Sequence, residues 1–353
     1  TADLLLTMEM LYLLSYWGML AEMIKESRKE SEYLRCNFKL MSGPNTSSID
    51  INSKRIIITG ASSGLGKECA LAFSKLGAEV VLAVRNTSKG QQVLNEIKQQ
   101  VPNAKIEVSE LDLADFESIR NFASRENSKQ IDILLNNAGI MAVPFALTKD
   151  GFESQIGTNH LGHFLLTSLL FENINRSNIA RIVNVSSTAH RLGRLKTASK
   201  SDILMTSDNY SPWVAYGNSK LANLLFTQEL SRRLKLTNSK VITASSHPGY
   251  AATNLQLVGP SLKKGLRKTI ELNGSKLANI LFGQSAAKGA LPSIAACTWD
   301  NIESNDFLGP DGPMQARGNP KKVNMSSLAK NSELAKNLWL TSEELTGVKF
   351  LNG

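Results

Sequence analysis

A tyrosine and a lysine stand four residues apart in Tyr216-Gly-Asn-Ser-Lys220. They fall in an amphipathic run over 215–234 that predicts a helix, and one helical turn puts both side chains on the same face. An ammonium held beside a phenol favours the phenolate and brings its pKa toward working pH. A tyrosine tuned in this way exchanges a proton with a carbinol or carbonyl oxygen. Such pairs are common on solvated helix faces, so the meaning of this one depends on the rest of the chain.

The elements that would position the pair alternate as strand, turn and helix. Residues 54–59 (KRIIIT) read as a short buried strand. The strand runs into Gly60-Ala-Ser62-Ser63-Gly64-Leu65-Gly66 and then a helical run over 67–76. A glycine-rich turn between strand and helix lets the backbone approach a pyrophosphate, and the helix start supplies amide donors and a positive dipole end. The spacing is Gly-x-x-x-Gly-x-Gly rather than the commoner Gly-x-Gly-x-x-Gly. A second strand, 79–84, ends at Val84 where NAD enzymes usually carry an acid, and Arg85 follows. An arginine there takes a 2′-phosphate through forked, charge-assisted bonds, which predicts NADP(H) over NAD(H).

The alternation continues with strands at 104–109, 131–135, 182–185, 241–246 and 307–309. Helices are expected over 116–125, 285–297 and 331–340. The expectation is an α/β fold: one Rossmann-like, doubly wound parallel sheet of about seven strands with helices on both faces. Asn136-Asn137-Ala138-Gly139 follows the fourth strand, and its small residues leave room for a ligand at the carboxyl edge of the sheet.

Taken in order, these residues resemble the short-chain dehydrogenase/reductase family over about 52–320. The resemblance rests on Thr59-Gly-Ala-Ser-Ser-Gly-Leu-Gly66, Asp112, Asn136-Asn-Ala-Gly139, Asn159, Ser187, Tyr216 with Lys220, and Pro248-Gly249. Thr158-Asn-His-Leu-Gly-His-Phe164 and Arg181-Ile-Val-Asn-Val-Ser-Ser187 look like the retinol-dehydrogenase-like branch, as does the run Gly217 to Phe226. His247-Pro-Gly-Tyr-Ala-Ala-Thr253 and Gly309-Pro-Asp-Gly312 look most like its bacterial members.

The resemblance implies a role for each matching position. Tyr216 would be the general acid/base, and Lys220 would bind the nicotinamide ribose and depress the tyrosine. Ser187 would polarise the substrate oxygen, and Asn159 would support a proton relay through water. Asp112 with Leu113 would lie by the adenine, and Asn137, Ala138 and Gly139 along the cofactor. Pro248, Gly249 and Thr253 would meet the nicotinamide end. Ser187 and Tyr216 are 29 positions apart, about twice the separation in many family members. The extra segment, 188–211, reads as a solvated loop more readily than as a gating element.

Composition narrows the alternatives. A chain of 353 residues that is 42% hydrophobic can bury a large core. The net charge of +9 is scattered and no nucleic-acid motif accompanies it, so nucleic acid is not expected as a partner. Cys36, Cys69 and Cys297 match no zinc spacing and make no disulfide framework; Cys69 and Cys297 read as small core residues, and a reducing, cytoplasmic setting fits. His160 and His163 are three apart on a helix, but no third ligand stands out and no metal is expected. Residues 1–48 read as an N-terminal extension, either foreign to the native protein or a weak membrane anchor, since 4–24 is apolar yet carries Glu9 and Glu22. Membrane association through it is the less favoured alternative to a cytoplasmic protein. Residues 49–353 read as the dinucleotide-binding catalytic domain, with a substrate lid at about 250–282. No residue bears on assembly, although family members often form homo-oligomers.

The expected activity is interconversion of a hydrophobic alcohol with its aldehyde or ketone. Two alternatives stay open. One is light-dependent reduction of a tetrapyrrole, because related photoenzymes share Asn159-His-Leu-Gly-His-Phe. The other is a cofactor-binding sensor without turnover, which would usually show a damaged Ser/Tyr/Lys set.

Overall fold

The computed structural model describes residues 47–250 and 284–351. The described residues from Ile49 onward form one compact unit. The 4–24 segment, Thr253 and nearly all of the expected lid lie outside the described residues.

The sheet has eight strands in the order β3-β2-β1-β4-β5-β6-β7-β8. They are β1 (Arg55–Thr59), β2 (Glu79–Val84), β3 (Lys105–Glu110), β4 (Ile133–Asn136), β5 (Arg181–Val185), β6 (Ile242–Ser246), β7 (Phe307–Pro310) and β8 (Pro320–Lys322). The first seven run parallel, with Ile57 opposite Val81 on one side and Leu134 on the other. The eighth is antiparallel to β7, pairing Leu308 with Lys322. It is a polar edge strand that opens on proline, where the missing N–H costs no ladder bond.

Helices α1 (Gly64–Lys75), α2 (Thr87–Gln100), α3 (Phe116–Glu126), α4 (Gly162–Asn175), α5 (Pro212–Leu236), α6 (Ala286–Thr298) and α7 (Ser332–Thr346) cover the sheet. Side-chain caps start several of them: Asn86 accepts from the Lys89 amide, Asp115 from Glu117 and Asn331 from Leu334. Ile57, Val81, Leu134 and Ile182 form one core with Ile119 and Phe122 of α3, Phe164 of α4, Phe226 of α5 and Trp339 of α7. Helices α1 and α6 pack on each other and on strands of the same sheet, with Cys69 and Cys297 fully buried. Burial pushes the Cys297 thiol up to about 12 and Cys69 up as well, so both are inert core groups.

The strand order reverses between β1 and β4, so the loops after their carboxyl ends part and leave a crevice. Every sequence-predicted site residue within the described part lies at that edge of the sheet or on the helical segments beside it.

Candidate active site

The glycine-rich turn packs tightly against the Asn-Asn-Ala-Gly loop. Gly60 turns at a φ of +69°. A Cβ on Gly66 would lie 2.6 Å from Asn137 Nδ2 and 2.7 Å from the Gly60 carbonyl. No side chain caps α1, whose N-cap is Ser63, and no acid stands in its first turn. The start of α1 therefore keeps its positive end for an anion. Ser62, Ser63, Gly64 and Leu65 surround it, and these residues fit the pyrophosphate of a dinucleotide. Arg85 is exposed just beyond β2. Asp112 follows β3 and folds its carboxylate onto the Ala114 amide at 3.0 Å, with Leu113 buried beside it.

Thr59 locks this half of the site, which no spacing argument had singled out. Its hydroxyl oxygen accepts the Asn137 and Ala138 amides, each at 2.9 Å. Asn137 returns its own Nδ2 to the Thr59 carbonyl at 2.8 Å. The same hydroxyl lies 2.9 Å from His163 Nε2, while His163 Nδ1 lies 3.0 Å from the Asn159 carbonyl. A carbonyl can only accept, so Nδ1 carries the proton and Nε2 accepts from Thr59. Burial, assisted by the charge of Lys220, pushes His163 down to about 4 and keeps the ring neutral. His160 turns instead to Ser342 at 2.8 Å, so the two histidines serve different partners.

Asn159 sits in a π-turn, Gly157–Leu161, that leads into α4. Its side chain clasps Ile140, accepting the amide at 2.8 Å and donating to the carbonyl at 2.9 Å. Its Nδ2 also reaches Ser219 Oγ at 2.9 Å. Asn159 thus joins the loop after β4 to α5.

Ser187 caps a short 3₁₀ turn, Thr188–Leu192, and accepts the Ala189 amide at 3.1 Å. That turn lies directly on α5 because Gly217 has no side chain: a Cβ there would meet Gly193 N at 2.9 Å and the Ala189 carbonyl at 3.0 Å. The close approach brings Ser187 to Tyr216, where its hydroxyl favours the phenolate. The segment beyond is not a solvated loop. Asp202 accepts the amides of Lys196, Thr197 and Ala198, and Leu195, Ala198 and Ile203 pack with Leu221 and Leu225 of α5 and Leu338 of α7.

Tyr216 is 4% exposed and Lys220 3%. Lys220 Nζ lies 5.8 Å from the Tyr216 ring centroid and donates to the Val185 carbonyl at 3.0 Å. The expected depression of the phenol by its lysine is reversed here. Burial pushes Tyr216 up to about 12, opposed by the Ser187 hydrogen bond, and pushes Lys220 down to about 8. For both groups the loss of water is the dominant effect, and for Tyr216 it outweighs the hydrogen bond from Ser187.

Pro248 and Gly249 follow β6. His247 Nδ1 accepts the Gly249 amide at 3.1 Å, and its Nε2 donates to Gln315 Oε1 at 3.0 Å. The Tyr250 amide donates to Ala316 at 2.7 Å. Gln284 then pins the same spot from the other side, its amide reaching the Tyr250 carbonyl at 2.9 Å and its Nε2 the Pro248 carbonyl at 2.5 Å. An apolar rim stands near the pair: Trp213 is half-exposed with its ring edge-on to Tyr216 at 6.2 Å, and Leu192 at the end of the 3₁₀ turn is exposed. Among the described residues, no helix is long and apolar enough to cross a membrane.

Comparison with known proteins agrees with this arrangement. The short chain dehydrogenase family model matches residues 54–258. Mouse retinol dehydrogenase 12 is 36% identical over 318 residues, covering 87% of this chain and 91% of that protein. Human retinol dehydrogenase 11 is 47% identical over 218 residues, covering 61% and 67%. A crystal structure of an uncharacterised protein from Mycobacterium paratuberculosis is 39% identical with a TM-score of 0.68, covering 86% of this chain and 97% of that one. The chain belongs to the short-chain dehydrogenase/reductase family of oxidoreductases, in its retinol-dehydrogenase-like branch.

Proposed function

We propose that this protein is an NADP(H)-dependent oxidoreductase that interconverts a hydrophobic alcohol and its aldehyde or ketone. The observation that carries the reading is the convergence of Ser187, Tyr216 and Lys220 where the 3₁₀ turn rests on Gly217. A dinucleotide on the α1 start would be held by Ser62 to Gly66, Asp112, Leu113 and Asn137 to Gly139, with Pro248, Gly249 and Thr253 toward the nicotinamide. Arg85 would take the 2′-phosphate. When bound, the cofactor would supply the hydride as NADPH and would accept it as NADP⁺ in the reverse direction.

The chain's own residues supply position and the proton. The Ser187 hydroxyl accepts the Ala189 amide, and its own hydrogen, given to Tyr216 here, would pass to a substrate oxygen placed between the two. Tyr216 is protonated at ordinary pH and so stands ready as an acid for carbonyl reduction. Two donors aimed at an oxygen that gains charge stabilise the transition state more than the ground state. Lys220 holds its cation beside the phenol and lowers the cost of the phenolate left after proton transfer. Asn159 keeps the loop after β4 against α5, and the resemblance gives it the support of a proton relay through water.

Three features support a hydrophobic substrate: the half-exposed Trp213 beside Tyr216, exposed Leu192, and similarity to enzymes named for retinol. The lid expected over 250–282 would complete the apolar side. The proposed domain arrangement is a catalytic unit over 49–353 behind an N-terminal extension.

The test is NADPH oxidation by the purified protein against aldehydes and ketones, retinal among them, beside Tyr216→Phe. Turnover by the wild type with a loss of about 10²- to 10⁴-fold in the variant is the expected result. Equal rates for the two proteins would overturn the role of Tyr216. No turnover with NADPH still bound would favour a sensor, and turnover only on illumination a photoenzyme.

A further inference from the structure

We propose that His190 is a positioning residue for Ser187, holding its backbone in register with Tyr216 and tying it to the C-terminal segment at Ser326. The inference rests on reading Ser187 and Tyr216 as the groups that meet the substrate oxygen.

His190 is 1% exposed and closes the first turn after Ser187. Its Nδ1 lies 2.6 Å from the Ser187 carbonyl, and its Nε2 lies 3.1 Å from the Ser326 amide nitrogen. The carbonyl can only accept and the amide can only donate. The proton is therefore on Nδ1 and the lone pair on Nε2, and no other tautomer satisfies both partners. The Ser187 carbonyl also accepts the His190 amide at 3.0 Å, so one residue grips it twice. Burial, with Arg191 nearby, holds the imidazole neutral, as two opposed partners of this kind require.

The grip has a mechanical consequence. The Ser187 hydroxyl takes its direction from the Ala189 amide, one residue before His190. A shift of the 188–190 turn moves that amide and re-aims the hydroxyl. The imidazole also stands edge-on to Phe307 of β7, with ring centroids 5.7 Å apart. His247, which fixes the Gly249 amide, packs on Phe307 as well at 5.0 Å. Phe307 thereby gives the two histidines that steady the loops after β5 and β6 a shared footing.

Three variants separate the ring's jobs. His190→Asn keeps a donor near the Nδ1 position. His190→Gln keeps an acceptor near the Nε2 position and loses the donor. His190→Phe keeps only the packing on Phe307. Each is made in the wild-type and Ser187→Ala backgrounds, and kcat, KM for a turned-over aldehyde, NADPH affinity and melting temperature are measured. The Gln and Phe variants are expected to lose about 10- to 100-fold in kcat, the scale of a small misplacement of a reacting group, with NADPH affinity unchanged. His190→Asn should recover most of the rate. In the Ser187→Ala background the same changes should have no further effect on kcat. Loss of equal size in both backgrounds would mark His190 as a general core residue and overturn the proposal, as would wild-type kcat in His190→Gln. If Ser187→Ala itself turns over at the wild-type rate, the reading of Ser187 fails, and the His190 proposal with it.

Discussion

The hydroxyl of Thr59 and the imidazole of His163 meet at 2.9 Å, where the glycine-rich turn after β1 faces helix α4. Every hydrogen-bonding position on that hydroxyl is used: it accepts two amides and donates to the ring. Thr59→Val removes the oxygen and leaves the Asn137 and Ala138 amides without their acceptor. A loss of about 3 kcal/mol in unfolding free energy is expected, together with weaker NADPH binding. Thr59→Ser should restore both, and a denaturant melt alongside fluorescence titration of NADPH reads the two effects.

Arg85 is exposed beyond β2 with Val84 in place of an acid. Arg85→Asp exchanges an attraction for a repulsion at the proposed 2′-phosphate. The ratio of kcat/KM for NADPH to that for NADH should fall by at least about 10-fold, since hydrogen bonds to charged groups are worth 1.5–3 kcal/mol. An unchanged ratio would remove Arg85 from cofactor choice.

Lys220 is held down from an ordinary value of 10.5 to about 8 by burial. Below pH 8 the folded and unfolded chains both carry the proton, and the folded chain bears the cost of a buried cation. Between pH 8 and about 10.5 the unfolded chain binds the proton more tightly, so stability rises with pH across that window. Lys220→Met should abolish turnover yet raise stability at pH 7 by about 1 to 3 kcal/mol, the upper end being the whole shift and the lower allowing for the lost bond to Val185. The gain should fade as pH approaches 10.5. Melting curves of both proteins from pH 7 to 10 test this, and equal stability at pH 7 would show that the site accommodates the charge without cost.

Gly217 sets the contact between the 3₁₀ turn and α5. Gly217→Ala places a methyl group against the backbone of Gly193 and Ala189. Overpacking of this kind costs about 1 to 3 kcal/mol. Because the displaced turn carries Ser187, kcat should fall while NADPH affinity holds. Steady-state kinetics with a binding titration separate that outcome from global unfolding.

Seven parallel strands and most of the site were legible because their signals are local. Buried β-branched runs mark strands, and glycine, asparagine, tyrosine and lysine stand at fixed offsets from strand ends. The eighth strand was not legible, for Pro320-Lys321-Lys322 carries no alternation and forms only because β7 offers an open edge. The direction of the Tyr216 shift was misjudged for a related reason. Spacing shows that a lysine is near, whereas the depth of burial depends on α5 being enclosed along most of its length. Thr59, His190 and His247 were given no role from the sequence because their partners are 104, 136 and 68 positions away. The packed segment 188–211 looked like a loop because its apolar residues are few and separated, and they find partners only on α5 and α7.

Tyr250 and Gln284 are hydrogen-bonded to each other, so two positions 34 residues apart in the chain meet at a single stitch. The stitch is further tied to Pro248 and to Ala316, neither of which belongs to the intervening stretch. The cost of bringing these two positions together is thereby met by contacts on either side of them, and the entropy of closing any flexible loop grows slowly, by about 0.6 kcal/mol for each doubling of its length. Such a junction behaves like a socket. The sequence between its two halves can change in length and composition while the socket itself still holds the ends of β6 and α6 in place.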